Sequence, residues 1–220
     1  MPEIISPIDG RTAYHFDLLD DEEVGRRLSL AAATQRAWRD VPIADRIALC
    51  RAMLAAYASR GAENAEEITR MMGKPLSQAQ GEFEGTMVER VEYLCDIAEA
   101  SLADEILPKK AGFRRFIRHE PVGVVLDIAA WNYPLAIAVN VIVPAVLAGN
   151  SVLVKHASQT ALVADQFERA FLAAGAPEGL VQAMPMSHAT TAQLIGSRAL
   201  GYVSFTGSVR GGHEIYRALA

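Results

Sequence analysis

Residues 122–155 read VGVVLDIAAWNYPLAIAVNVIVPAVLAGNSVLVK. The segment begins and ends with a β-branched apolar run, and the apolar stretch between them follows a Tyr-Pro turn and has the length of a helix. Two strands joined by a crossover helix lie parallel in one sheet. This segment therefore predicts a parallel α/β sheet whose ligands bind at the carboxyl ends of the strands.

The same alternation continues along the rest of the sequence. Strands are predicted at 122–128, 152–155, 180–184 and 202–206, and helices at 134–148, 160–174 and 189–197, with a last helix after Gly207. A bilayer span needs about 20 apolar residues. The apolar run 134–148 is shorter than that and contains a proline, so it predicts a buried core helix and no membrane partner.

The sequence before this sheet predicts two further regions. Residues 1–107 form a mainly helical lead segment, with helices expected at 20–38, from 42 onward, at 66–72 and across 83–102. Residues 108–120 alternate apolar and basic side chains, which predicts a projecting strand with solvated arginines. The predicted organisation is thus a lead segment (1–107), a projecting strand region (108–120) and an α/β sheet (121–220).

Composition excludes several classes of protein. The 220 residues are 51% hydrophobic, which is enough to form a core, and only two are cysteines, so neither a disordered chain nor a disulfide scaffold is expected. The net charge of −5 argues against a nucleic-acid partner. The five histidines lack metal-ligand spacing, so no metal site is predicted. The start of the sequence lacks the pattern of a secretory signal, which favours a cytoplasmic location.

Three predicted strand ends carry residues suited to chemistry. Asn132 has an amide that is able to donate to an oxyanion, although the residue taken singly favours a turn role. Lys155 ends a buried strand, so its ammonium must either reach solvent or meet an anion. Gly207 and Ser208 open a helix whose first N–H groups suit a phosphate, but a simple helix cap is the alternative. His156 is expected to be an exposed loop residue.

Taken together and in order, these motifs resemble the aldehyde dehydrogenase superfamily. The resemblance rests on WNYP (131–134), AGNSVLVK (148–155) and FTGS (205–208), and extends to MGKP (72–75), EPVGV (120–124) and AGAPEG (174–179). It covers most of the chain. It implies oxidation of a small-molecule aldehyde to a carboxylic acid with NAD or NADP, through a thiohemiacetal on a cysteine, on a Rossmann-type sheet that carries a projecting β-hairpin.

The resemblance also implies roles for individual residues. Asn132 is the side-chain half of the oxyanion hole, and Ser158 stands where the family often has a glutamate that repels a 2′-phosphate, so NADP is expected to bind at least as well as NAD. The resemblance further implies that Lys155 holds the adenosine ribose and that Gly207 and Ser208 face the pyrophosphate. It implies that Gly212 lets the last helix approach the cofactor closely. The residues implied on the nicotinamide side are Ile128, Ala129 and Trp131.

The sequence also departs from the family pattern. The last sheet strand and the catalytic domain with the nucleophilic cysteine are expected to be absent, and Cys50 and Cys95 are expected to be core thiols. The chain alone is therefore expected to be inactive. Two interpretations remain open: the amino-terminal part of an NAD(P)-dependent aldehyde dehydrogenase that is a homo-oligomer when complete, or a truncated, non-catalytic cofactor-binding or subunit-pairing module.

Overall fold

The computed structural model describes residues 2–219. The strands in this range are β1 (Glu3–Ile5), β2 (Thr12–His15), β3 (Glu105–Ile106), β4 (Phe116–Ile117), β5 (Val124–Ala129), β6 (Ser151–His156), β7 (Val181–Ala183) and β8 (Tyr202–Phe205). The helices are α1 (Asp21–Trp38), α2 (Ile43–Ala58), α3 (Gly61–Met72), α4 (Leu76–Gly81), α5 (Val88–Leu102), α6 (Pro134–Leu147), α7 (Leu162–Ala173), α8 (His188–Gly196) and α9 (Val209–Leu219). A π-helical segment, Glu82–Met87, joins α4 to α5.

The predicted parallel sheet is confirmed. It has the strand order β7-β6-β5-β8, and all three pairings are parallel. Every residue of β5 and β6 is buried, which is why both strands are almost continuously apolar. Helices α6, α7 and α8 make the crossovers, so the carboxyl ends of the four strands lie at one edge.

Each face of the sheet packs on its own layer of helices. One face, which includes Val125 and Val154, packs with residues of α2, α5, α6 and α7. The other face, which includes Leu126 and Leu153, packs with residues of α1 and α8. Because successive strand residues point to opposite faces, the lead segment and the crossover helices both bury the same sheet. Cys50 and Cys95 are buried in the first layer, as expected.

Helix α6 is held at its carboxyl end by side chains of the lead segment. The indole of Trp38 donates to the carbonyl oxygen of Val146 at 2.9 Å, and the guanidinium of Arg46 donates to that of Leu147 at 2.9 Å. The last carbonyls of a helix have no partner within it. Arg46 satisfies the carbonyl of Leu147, and Trp38 adds a second donor to that of Val146, which also accepts from the N–H of Gly149. The lead segment thus completes the crossover helix.

The structure differs from the sequence predictions in several elements. A β1–β2 hairpin was not predicted, and α3 begins at Gly61 rather than at residue 66. The helix predicted across 83–102 begins as the π-helical segment and becomes α-helical only at Val88. The first residue of that segment, Glu82, is buried. The strand predicted within 108–120 is reduced to Phe116–Ile117, which pairs with β3 at 105–106.

Within residues 2–219, no helix combines the length and the apolar character needed to cross a bilayer.

Candidate functional site

The candidate site lies at the carboxyl edge of the parallel sheet. In the pairing register, Ile128 of β5 is opposite Lys155 of β6 on one side and Phe205 of β8 on the other. Residues at the same level of neighbouring parallel strands point to the same face. The side chains of these three residues therefore share the face that also carries Leu126 and Leu153.

Lys155 is buried at this edge. Only 5% of the residue is exposed, and within residues 2–219 its ammonium makes one long hydrogen bond, 3.4 Å to the carbonyl oxygen of His156. Burial lowers the pKa of Lys155 because the charged form loses hydration. The prediction that this cation reaches solvent is therefore wrong, and the alternative, that it meets an anion, stays a prediction.

The prediction that His156 is an exposed loop residue is also wrong. His156 is the last residue of β6 and is 4% exposed, and its Nε2 lies 3.2 Å from the carbonyl oxygen of Pro134. Its Nδ1 lies 2.8 Å from Oγ1 of Thr160. The strand continues one residue beyond its predicted end, so the imidazole turns inward beneath the start of α6 instead of outward with the loop. Burial lowers its pKa to about 4.

Ser208 opens α9 as a helix cap. Its hydroxyl accepts from the N–H of Gly211 at 3.1 Å, which confirms the capping alternative for this residue. A Cβ on Gly207 or Gly211 would come within 2.5 Å or 2.7 Å of the Phe205 ring, whereas one on Gly212 would stay 3.7 Å away. Close packing of the start of α9 against the Phe205 ring thus depends on Gly207 and Gly211. The role predicted for Gly212 toward a ligand is separate from this packing.

The residues expected on the nicotinamide side divide between two faces. Ile128 points to the Lys155 face, while Ala129, the next residue, points to the face covered by α6. Ala129 can therefore meet a ligand on the Lys155 face only through its main chain. Trp131, with 53% exposure, and Asn132 lie exposed in the turn between β5 and α6, and Ser158 is exposed just after β6.

A buried ion pair beneath the Asn132 turn was missed by the sequence predictions. Lys74 and Glu82, which are 9% and 4% exposed, form a salt bridge, and the same carboxylate accepts from the N–H groups of Leu135 (2.8 Å) and Ala136 (3.0 Å). The Lys74 ammonium also lies 4.5 Å from the centre of the Tyr133 ring. The only sequence signal for this arrangement is a Gly-Lys-Pro turn followed by a glutamate on the next helix.

Asp127 is a second buried acid near this edge. It is 1% exposed, and neither carboxyl oxygen has a hydrogen-bond partner within residues 2–219. Burial raises its pKa to about 8, because the ionised form would lie unsolvated in the sheet. At neutral pH the carboxyl is therefore mostly protonated, and it adds no negative charge to the site.

A nucleophilic thiol is not among the residues at this edge. Both cysteines of the chain lie in the helical layer, at 0% and 2% exposure for Cys50 and Cys95. A hydrogen bond that the Cys50 thiol donates to Cys95, followed by burial, raises the pKa of Cys50 well above its ordinary value. Within residues 2–219 there is also no cluster of three metal-ligating side chains. The residues at the carboxyl edge of the sheet therefore include a cation, Lys155, and an amide donor, Asn132, without a nucleophilic thiol beside them.

The fold and the strand-end residues define an α/β protein with a Rossmann-type sheet. The sequence model of the aldehyde dehydrogenase family matches residues 2–220. The chain belongs to the aldehyde dehydrogenase family.

Individual relatives agree with this assignment. A 3,6-anhydro-α-L-galactose dehydrogenase of Streptomyces coelicolor is 31% identical over 99% of this chain and 44% of its own length. An NADP⁺-dependent succinate-semialdehyde dehydrogenase of Deinococcus radiodurans is also 31% identical, over 96% of this chain and 44% of its own. The crystal structure of a succinic semialdehyde dehydrogenase from Streptococcus pyogenes with NADP⁺ has a TM-score of 0.92 at 28% identity, covering 99% of this chain and 48% of that one. The chain thus spans somewhat under half the length of these relatives.

Proposed function

We propose that this chain binds NAD(P) and supplies an oxyanion-stabilising amide for the oxidation of a small-molecule aldehyde to a carboxylic acid. The observation that carries the proposal is the buried, nearly unpartnered ammonium of Lys155 at the carboxyl edge of the sheet. A cation in this position is stabilised by a ligand that brings hydroxyl or phosphate oxygens. Membership of the aldehyde dehydrogenase family supports a nicotinamide dinucleotide as that ligand.

The residues at the edge fit such a cofactor. Lys155 would hold the adenosine ribose, and Gly207 and Ser208 would face the pyrophosphate at the start of α9, where side chains larger than glycine would meet the Phe205 ring. Ile128 and Trp131 would flank the nicotinamide. When bound, NAD(P) supplies the hydride acceptor. The amide of Asn132 would donate a hydrogen bond to the aldehyde oxygen as negative charge develops on it.

The chain's own cysteines do not complete this chemistry. Because Cys50 and Cys95 are buried in the helical layer, neither is placed to attack an aldehyde at the sheet edge. We therefore expect the purified chain, mixed with an aldehyde and either cofactor, to form no reduced nicotinamide. Relatives carry the names of chemically different aldehydes, 3,6-anhydrogalactose, succinate semialdehyde and geranial, so the proposal extends to an aldehyde and not to a particular one.

We expect NADP to bind at least as tightly as NAD. Ser158 brings no negative charge to the region next to Lys155, whereas a carboxylate there would repel a 2′-phosphate. Relatives that act with NADP⁺ or are solved with it support this choice. The cytoplasmic location expected from the sequence stays a prediction.

Calorimetric titration of NADP⁺ and NAD⁺ into the purified chain tests the proposal. We expect NADP⁺ to bind at least as tightly as NAD⁺, and Lys155→Met to weaken both at least tenfold. The matched control is Lys109→Met, which removes an exposed lysine far from the sheet edge. Absence of binding by the folded wild-type chain would contradict cofactor binding, and tenfold tighter binding of NAD⁺ would contradict the preference.

We also propose that the β3–β4 hairpin contributes to subunit pairing. Ile106 and Phe113 are 72% and 64% exposed, and Ile117 is 46% exposed. Apolar side chains this exposed on a projecting hairpin suit a protein interface. Sedimentation of the wild-type chain is expected to show self-association that Phe113→Glu reduces. An unchanged sedimentation coefficient in the variant would contradict this role.

A further inference from the structure

Three consecutive residues between β5 and α6 are exposed with little to hold them. Within residues 2–219, Trp131 and Asn132 make no hydrogen bond through backbone or side chain, and Trp131 and Tyr133 are 53% and 58% exposed. An amide that stabilises a developing charge must be held in place before the reaction. The order of this turn must therefore come from the residues at its flanks.

The first flank is the start of α6. The N-cap position is Tyr133, whose side chain makes no capping hydrogen bond, in contrast to the serine or aspartate usual there. Glu82, which lies 53 residues before Leu135 in the sequence, replaces that cap by accepting from the N–H groups of Leu135 and Ala136. Because the capping carboxylate comes from Glu82 and not from the turn itself, the side chains of Trp131 and Asn132 are not used for capping. The charge of Glu82 is in turn balanced by Lys74.

The second support lies on the same flank, at the carbonyl group of Pro134, the first residue of α6. A carbonyl oxygen only accepts, so Nε2 of His156 must carry the proton and donate to it. In the neutral ring Nδ1 is then unprotonated and accepts from the hydroxyl of Thr160. The pKa of about 4 that results from burial keeps the ring neutral near pH 7. His156 thereby joins the end of β6, next to Lys155, to the turn that follows β5.

We propose that Glu82 and His156 are positioning residues that clamp the start of α6, Glu82 through N–H groups and His156 through a carbonyl group, and thereby hold the preceding turn that carries Asn132. The clamp rests on the proposed function in one respect, since Asn132 is the oxyanion donor only if the chain serves aldehyde oxidation. His156 also fixes this turn relative to Lys155, so the oxyanion donor and the ribose-binding cation share one support. Both residues are buried, at 4% exposure each, so they act on the turn through the start of α6.

Backbone ¹⁵N relaxation of Trp131 and Asn132 tests the clamp directly. In the wild-type chain we expect order parameters of about 0.85, typical of rigid backbone, and values below about 0.6 when the clamp is removed. The variants that remove it are His156→Leu and the double variant Lys74→Met/Glu82→Leu, which deletes the acceptor without leaving an unpaired buried charge. Lys74→Met/Glu82→Gln keeps an acceptor oxygen and is expected to retain the wild-type order.

A stability-matched control separates positioning from general loosening. Phe171→Leu creates a defect near the carboxyl end of α7, which returns to the amino end of β7, at the opposite edge of the sheet. At an equal loss of thermal stability, it is expected to leave the order parameters of Trp131 and Asn132 unchanged. Equal loss of order in Phe171→Leu would overturn the clamp, as would rigid Asn132 in both clamp-removing variants. If His156→Leu does not fold, the pair of Lys74/Glu82 double variants still decides.

NADP⁺ titration of the same samples keeps the two proposals apart. If the wild-type chain binds no cofactor while the clamp-removing variants lose order at Asn132, the proposed function is contradicted and the clamp is supported. A chain that binds NADP⁺ with the same order parameters in all variants would contradict the clamp alone.

Discussion

Arg46 donates through Nη1 to the carbonyl oxygen of Leu147 at 2.9 Å, at the carboxyl end of α6. The same guanidinium donates to the carbonyl oxygens of Val41 and Arg39, each at 2.8 Å. A cation at the carboxyl end of a helix is favoured by the helix dipole. The three hydrogen bonds that the guanidinium donates fix its orientation. One side chain thus joins the α1–α2 connection to the crossover helix.

Removal of this side chain is expected to destabilise the fold. Arg46→Met should lower the free energy of unfolding by about 3 kcal/mol, because three carbonyls lose a charged donor and that of Leu147 is partly buried. Urea unfolding followed by circular dichroism measures the change. Arg36→Met, at an exposed position of α1, is the control and should cost less than about 0.5 kcal/mol. Equal effects of the two substitutions would contradict the role of Arg46.

Asp127 is expected to make the stability of the fold depend on pH. Its pKa is raised from 3.8 to about 8 in the folded chain, so the unfolded chain releases this proton first as pH rises. Stability from this group is full below about pH 4 and falls by up to about 1.4 kcal/mol per pH unit until about pH 8. Asp127→Asn should therefore stabilise the chain increasingly from pH 4 to pH 8.

Asp165 provides the comparison for this experiment. Burial raises its pKa only to about 6, so the gain from Asp165→Asn should stop growing near pH 6. Unfolding free energies at pH 4, 6 and 8 separate the two curves. A gain for Asp127→Asn that is the same at all three pH values would show that its carboxyl is solvated in the folded chain.

Ser158→Glu is expected to reverse the cofactor preference. The introduced carboxylate would meet the 2′-phosphate of NADP⁺ while accepting hydrogen bonds from the ribose hydroxyls of NAD⁺. We expect NADP⁺ binding to weaken at least tenfold, which corresponds to about 1.4 kcal/mol, with NAD⁺ binding unchanged or tighter. Titration of both cofactors into the variant gives the ratio, with Ser158→Ala as the neutral control. Parallel changes for the two cofactors would place Ser158 away from the 2′-position.

Neighbouring glycines in α9 should respond in opposite ways to alanine. Alanine generally stabilises a helix by about 1 kcal/mol relative to glycine, and Gly212→Ala meets no close atom. Gly211→Ala places its Cβ 2.7 Å from the Phe205 ring, so the ring or the helix must move. We expect Gly212→Ala to raise the melting temperature and Gly211→Ala to lower it. Stabilisation by both would show that the Phe205 ring moves at little cost.

The sequence sufficed for the sheet because its signals are local. Each strand is a β-branched run closed by a turn, and each crossover helix has a clear period, so element type follows from a few neighbouring residues. Lys155 and Ser208 are predicted for the same reason, since each lies at or near the carboxyl end of a strand. The assignment of roles to them, by contrast, depended on resemblance to a family, because a strand-end lysine by itself does not specify its ligand.

The parts that the sequence did not predict depend on distant contacts. Glu82 caps α6 by accepting from the N–H of Leu135, 53 residues later, and nothing near Glu82 indicates its target. The sequence predicts His156 in a loop because polar side chains are usually exposed, whereas in the fold its contacts with Pro134 and Thr160 satisfy both ring nitrogens in the interior. The π-helical segment escaped prediction because it keeps helical composition while changing the hydrogen-bond spacing by one residue.

The two-ended support of α6 has a consequence for how the chain folds. Donors before residue 50 satisfy its last carbonyls and Glu82 satisfies its first N–H groups, so the helix has complete hydrogen bonding only after the earlier part of the chain has docked. Contacts of this sequence separation slow folding but make it cooperative. The lead segment and the sheet should therefore unfold in one transition, and the amide protons of α1 and α6 should exchange with the same free energy.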